Sequence, residues 1–441
     1  MGPTRTVWYT CPMPTDHTIP DRSPGEARST GRIFYGWTLV GVAGFLLTLM
    51  SLTVFQGLGT FVVALQDQFG WSRTTISGAF ALARVQGSII GPFEGLLIDR
   101  VGIRKMVLIG YSMMGVGFIL LSQIDHIWQF YAAFTVVTVG SGLSGWLAMI
   151  TLVNNWFIRK RSIAMATAMS GVHMGGFLVP ALAFGIDSQG FRTTTLFIGI
   201  LILAVIVPVT KMIRNKPEDV GLLPDGVPPA PQRSVGVETP VNVVDGEPDF
   251  TVREALRTPA FWLLMLVQLS SSVATVSLAT HLVPKLTDIG MSLGSAGIVV
   301  LTSTAVAVPS QFIFGYIADR FSKPPIIFAL LTLQATSLVV IAMADSVATA
   351  YAFAIIYGIS FGGRMPLTTS IRGDYFGRRA FATITGLSFV PNNAFTIAAP
   401  LFAGYMFDQR GSYVIPFTVF AAMSYAGAIV VLFVRKPKHP N

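Results

Sequence analysis

Residues 84–105 read RVQGSIIGPFEGLLIDRVGIRK. An apolar helical run carries Arg84 near its middle and Glu94 near its end, then breaks at a charged turn, Asp99-Arg100-Val101-Gly102-Ile103-Arg104-Lys105. Isolated charges inside a long apolar run point to a bilayer crossing whose charges face something other than lipid. A related turn returns as Gly315-Tyr316-Ile317-Ala318-Asp319-Arg320. The stretch therefore predicts a membrane bundle built twice.

Composition agrees. Of 441 residues, 52% are hydrophobic and 12% charged, against about 25% charged in soluble domains; mean hydropathy is +0.64. Too few charges remain to cover a water-exposed surface of this size. The net charge of +9 would favour nucleic acid in a soluble protein, but here the basic residues sit at helix ends, so no nucleic-acid partner is expected. Cys11 is the one cysteine, which excludes an intrachain disulfide and a cysteine metal cage. No metal site and no cofactor are expected. Gly140-Ser141-Gly142-Leu143-Ser144-Gly145 matches the dinucleotide pattern, but no strand precedes it and it lies in an apolar span. No P-loop, paired catalytic carboxylates or nucleophile elbow occurs elsewhere, so the chain does not read as an enzyme.

Twelve apolar runs reach the about 20 residues that a crossing needs. They fall at 36–65, 75–98, 105–124, 128–153, 162–185, 193–213, 261–284, 293–318, 325–344, 348–370, 380–407 and 413–434. One side's tails and loops hold 24 of the 30 basic residues. The other side's loops hold Arg73, Arg192, Lys285 and Arg410, while Arg84 and Arg364 remain inside spans. This bias places both termini in the cytoplasm of a cell membrane.

Residues 1–32, polar and rich in Pro, Gly, Ser and Thr, read as a disordered cytoplasmic tail, and the first helix as an uncleaved anchor. Residues 33–213 and 259–434 form two six-helix bundles. Residues 214–258, with KPEDVGLLPDGVPPAPQ, form a cytoplasmic linker without periodicity, and 435–441 a cytoplasmic tail. The halves repeat. Asp99-Arg100 maps to Asp319-Arg320 with an offset of 220, Trp156–Lys160 to Tyr375–Arg379 with 219, and Asp187…Gly190 to Asp408…Gly411 with 221. The fold class is an all-α membrane protein with twelve transmembrane helices in two pseudo-symmetric bundles. A parallel repeat of this kind puts a binding site at the interface of the halves, near mid-depth.

The turn GLLIDRVGIRK at Gly95–Lys105 resembles the loop signature of the major facilitator superfamily in Gly95, Asp99, Arg100, Gly102 and Arg104. The resemblance implies a cytoplasmic gate built from these residues with Asp319 and Arg320, Asp99 lying at the start of the eleventh helix. NWFIRKRSIAMATAMSG at Asn155–Gly171 resembles the fifth-helix signature of the monocarboxylate porters, with Gly36-Trp37 a weaker echo; oxalate/formate antiporter-like proteins are equally similar. These families imply secondary transport of a small organic anion by one chain acting as a monomer. They commonly place a substrate-binding arginine on the eighth helix. Here that position is near Val308, and the helix carries no basic residue.

Arg84 and Arg364, one in each half, are candidate anchors for a mono- or dicarboxylate, because a guanidinium fork matches carboxylate geometry and stays charged. Glu94 lies ten residues from Arg84, about 15 Å along the axis, so the two are not a direct pair. Glu94 either carries a proton or braces the charged turn. His173 and Asn392 sit at equivalent depth in the fifth and eleventh spans, and His173 could bind cargo or a proton. Tyr357, two turns before Arg364, and Gln56 and Asn393 are further binding candidates; His281 and Gln311 are weaker ones. The expected partners are the bilayer, a small organic anion, and either protons or a counter-anion. The runner-up is export of drug-like or amphipathic compounds, which would favour an acid-lined aromatic cavity.

Overall fold

The computed structural model describes residues 34–71, 73–226 and 249–438; the expected tail at 1–32, with Cys11, lies outside them, as do residues 439–441. The described elements are helices. They are α1 (Tyr35–Met50), a π-helical stretch (Ser51–Gln56), α2 (Leu58–Phe69), α3 (Arg73–Val101), α4 (Ile103–Leu121), α5 (Ile127–Ser144), α6 (Trp146–Trp156), α7 (Arg161–Phe177) and α8 (Val179–Met212). After the linker come α9 (Val252–Arg257), α10 (Pro259–Asp288), α11 (Leu293–Ala318), α12 (Lys323–Ala342), α13 (Val347–Phe376), α14 (Phe381–Arg410) and α15 (Val414–Leu432).

Eight helical segments among the described residues are long and apolar enough to cross a membrane. One of these, Arg161–Met212, has 52 residues, more than twice what a crossing of about 30 Å uses at about 1.5 Å per residue. It turns at Gly190, whose φ of 80° and ψ of 161° leave the helical region, and so supplies the fifth and sixth crossings. The remaining three crossings are α3, α13 and α14, of 29, 30 and 30 residues. They carry more polar and charged residues, among them Arg364 and Arg372 of α13, which are 1% and 3% exposed. The fourth crossing is α5 and α6 joined at Gly145.

Local chemistry sets the boundaries. Thr258 caps α10 by accepting from the Phe261 amide, with Pro259 in its first turn. Ser292 caps α11 and Ser346 caps α13 in the same way. Gly70 and Gly411 end α2 and α14 at positive φ, which only glycine adopts without cost.

Without a hydrophobic drive between helices in lipid, close approach depends on small residues. Gly171 of α7 lies against the Gly44 carbonyl of α1, and Gly362 of α13 against the Ala307 carbonyl of α11. Within the N-terminal half α4 packs on α5 and α8, and α1 on α7; within the C-terminal half α11 packs on α13, and α12 on α13 and α15. The halves meet through two pseudo-equivalent pairs, α3 with α14 and α7 with α11, and through α13 with α7.

Two expectations need correction. The linker is not structureless at its ends. Pro217–Val220 and Pro224–Gly226 form 3-10 turns and Val252–Arg257 a short helix. The Thr251–Glu254 capping box, in which Glu254 accepts from the Thr251 amide at 2.8 Å, opens that helix. Residues 227–248 lie outside the described residues. Arg372, counted with the loops, lies inside α13 and is 3% exposed.

Candidate functional site

On α13, Gly362 and Gly363 remove side chains where the helix presses on α11, and Arg364 emerges beside α10. It is 1% exposed. One Nη donates to the Ser271 hydroxyl and the other to the Thr275 hydroxyl at 3.4 Å. Ser271 and Thr275 are one turn apart on α10, so their hydroxyls share a face. Among the described residues Nε of Arg364 has no hydrogen-bond partner, and no acidic side chain pairs with the guanidinium. Two neutral hydroxyls are a thin environment for a buried cation.

Tyr357 shares the Thr275 hydroxyl and stacks on Phe361 with centroids 5.6 Å apart. Phe361 meets His173 of α7 edge-on at 6.2 Å. The Gln311 side chain bonds His173 and donates to the Ala166 carbonyl at 2.6 Å. Arg364, Thr275, Tyr357, Phe361, His173 and Gln311 thus form one continuous path from the C-terminal half into the N-terminal half. It unites three of the sequence candidates with Gln311. Phe361 and Thr275 were missed; an aromatic one turn beyond Tyr357 on the same face was the available signal.

The other candidates lie elsewhere. Glu94 and Asn393 line a cavity of about 210 Å³ between the halves. Oε1 of Glu94 is buried without a partner among the described residues. Asn392 is 7% exposed, with its Oδ1 unpartnered among the described residues. Gln56 is exposed and lines a cavity of about 770 Å³ with Asp67, Gln68 and Asp187. His281 bonds the Pro400 carbonyl at 2.9 Å and stays within its own half. Arg84 belongs to α3, and its side chain is outside the described set. Arg372 donates to the Thr368 carbonyl at 3.2 Å and lies 5.9 Å from the Phe389 ring centre.

At the linker end the halves are clasped twice, in pseudo-symmetric fashion. Asp99, ending α3, accepts from the Thr383 amide at 2.9 Å and its hydroxyl at 2.6 Å, at the start of α14. Asp319, ending α11, accepts from the Ser162 and Ile163 amides at 2.8 and 3.0 Å, at the start of α7. Each carboxylate sits at a helix N-terminus, whose free amides favour anions. Gly95 makes room, since a Cβ there would meet the Ala382 carbonyl. Burial pushes the Asp319 carboxyl above its ordinary range, although the amides and Lys323 oppose this.

Arg161 and Lys323, from opposite halves, both pair with Asp374. Ser162 and Ser370 hydroxyls meet across the interface at 3.0 Å. The remaining turn residues stay in their own halves. Arg320 lies over the Tyr316 ring at 4.1 Å. The Arg104 amide donates to Asn215, and Gly102 at φ 91° abuts the same residue. Arg100 is exposed.

The linker adds clips of its own. Asp225 accepts from the amides of Ile158, Arg159 and Lys160 at 2.7–3.3 Å. Asp249 accepts from the equivalent Arg379 amide at 3.0 Å. Glu218 of the linker pairs with Arg378 of the C-terminal half at 3.0 Å.

Comparison with known proteins places this arrangement. The chain is 24% identical over 359 residues to the oxalate:formate antiporter of Oxalobacter formigenes, covering 80% of this chain and 81% of that one. It is 23% identical over 437 residues to human monocarboxylate transporter 11, covering 95% and 86%. The crystal structure of the transporter FucP in the outward conformation superposes with a TM-score of 0.69 at 14% identity, covering 91% of this chain and 99% of that one. The profile of the major facilitator superfamily matches residues 44–286 and 282–441. With twelve crossings in two pseudo-symmetric bundles and a profile matched along nearly its whole length, the chain belongs to the major facilitator superfamily, a family of transporters rather than enzymes.

Proposed function

We propose that this chain carries a small organic anion, a mono- or dicarboxylate, across the cell membrane by alternating access. The observation that carries the reading is Arg364: a guanidinium buried between the crossings, held by two hydroxyls and neutralised by no carboxylate among the described residues. A cargo carboxylate supplies the missing charge and a geometry the fork matches. Arg364 on the tenth crossing then takes the part that relatives commonly give to the eighth. His173, Tyr357 and Gln311 extend the site across the halves, with Arg84, Asn392, Asn393 and Gln56 as further contacts. The names of the oxalate:formate antiporter and the monocarboxylate transporters support the same cargo class.

Residues 33–213 and 259–434 are the rocking halves, working as a monomer with both termini cytoplasmic. Apart from the Gln311 contacts with Ala166 and His173, the cross-half hydrogen bonds and ion pairs named above lie towards the linker end, which supports a state closed to the cytoplasm and open outward. Gly95, Asp99, Gly102 and Asp319, with Arg100, Arg104 and Arg320 beside them, form the gate that opens in the other state. A proton, through His173 or Glu94, or a counter-anion drives the cycle. The alternative, export of drug-like compounds, draws support only from the acid and aromatic lining around Glu94.

The test is uptake of labelled mono- and dicarboxylates, beginning with oxalate and formate, into proteoliposomes, with and without a dissipated proton gradient. Arg364→Gln is expected to cut uptake about a hundredfold, as loss of a charge-assisted bidentate contact worth about 3 kcal/mol implies, while the protein stays folded and inserted. Undiminished uptake by that variant removes Arg364 from the site.

A further inference from the structure

The Glu94 cavity has walls from the first, second and fourth crossings and from α14 of the other half. Glu94 and Asn393 face it from opposite halves, Ser141 adds a hydroxyl, and Phe55, Trp146 and Phe389 supply rings from three separate elements. Gly87, Gly91 and Gly142 leave it open where side chains would fill it; a Cβ added at any of them would meet nothing within 4 Å. Its about 210 Å³ is room for about seven waters at about 30 Å³ each. A proton alone needs no such room. Among the described residues an inorganic cation would find three polar side chains, too few to replace its hydration shell. A carboxylate among aromatic faces suits a weakly hydrated organic cation, which gains from ring quadrupoles as well as from charge.

We propose that this cavity is a recognition site for a small alkylammonium group. This site is built from residues other than those of the Arg364 path and does not rest on that reading. The site also bridges the halves, so an occupant there biases their rocking. The acid and aromatic lining that would suit a drug exporter thus fits the same carrier.

The experiment is calorimetric titration of the purified full-length protein with choline chloride, with sodium chloride as the ionic-strength control. Wild type is expected to bind choline saturably. Glu94→Gln and Trp146→Leu should each weaken it about tenfold or more, while Trp146→Phe, which keeps a ring, stays within about threefold. Thermal unfolding midpoints check that each variant is folded, and Phe389→Leu replaces any that is not. Absence of saturable choline binding, or wild-type affinity in both Glu94→Gln and Trp146→Leu, overturns the proposal. Choline binding without carboxylate uptake keeps the cavity and removes the Arg364 reading; carboxylate uptake without choline binding does the reverse.

Discussion

Removing the Asp319 carboxylate is expected to loosen the linker-end clasp by a calculable amount. Asp319→Ala deletes two hydrogen bonds to amides at the start of α7, at 2.8 and 3.0 Å. Bonds to a charged acceptor contribute about 1.5–3 kcal/mol each, and the half-buried position argues for the lower end, so the pair is worth about 3 kcal/mol. At about 1.4 kcal/mol per tenfold, the ratio of closed to open forms falls about a hundredfold. A reporter is available at Ser370, whose hydroxyl meets Ser162 across the halves. In a Cys11→Ser background, a thiol introduced by Ser370→Cys is shielded when the halves are clasped. Its alkylation rate follows the open fraction while that fraction is small. Asp319→Ala should raise the rate about a hundredfold, and Asp319→Asn, which keeps one acceptor, about tenfold. An unchanged rate in Asp319→Ala would falsify the view that this carboxylate holds the halves together.

Four further outcomes are expected. The Asp319 carboxyl is pushed up in the closed form, chiefly by burial, so that form binds a proton more readily than the open one. Acidification just above the ordinary carboxylate range should therefore favour closure and slow alkylation, normalised to denatured protein, and Asp319→Ala should lose this response. A Cβ at Gly95 meets α14 across the interface, whereas one at Gly171 meets α1 within a half. Gly95→Ala should speed alkylation with little change in melting temperature, and Gly171→Ala should destabilise the fold by the usual overpacking cost of about 1–3 kcal/mol, read as a lower melting temperature. Arg364→Lys keeps the charge but loses the fork, so carboxylate uptake should fall about tenfold, less than in Arg364→Gln. His173→Gln should flatten the pH profile of uptake; an unaltered profile excludes His173 from the proton route.

The bundle was legible because apolar runs of crossing length and a repeat offset near 220 are one-dimensional signals. Arg364 was legible for the same reason, as a charge where lipid depth forbids one. Its partners were not: which hydroxyls of α10 face it depends on how the two helices are rotated, which spacing within α13 does not determine. Arg372 was misplaced because a run boundary was set where the apolar residues stop at Ser370, while α13 continues buried to Phe376. The linker ends were missed because isolated carboxylates such as Asp225 and Asp249 gain their partners only when loops distant in sequence meet. The Thr251–Glu254 capping box was visible in the chain and overlooked beneath the proline-rich composition.

The widened turn at Ser51–Gln56 in the first crossing has a rotational consequence. A π-helical insertion adds one residue to a turn, so every side chain beyond it is rotated about 100° from where an uninterrupted α-helix would aim it. The Ser51 hydroxyl pins the bulge to the Val172 carbonyl at 2.7 Å. Deleting Val54 alone would wind the bulge back into register and swing the whole outer segment Leu58–Phe69 onto a different neighbour.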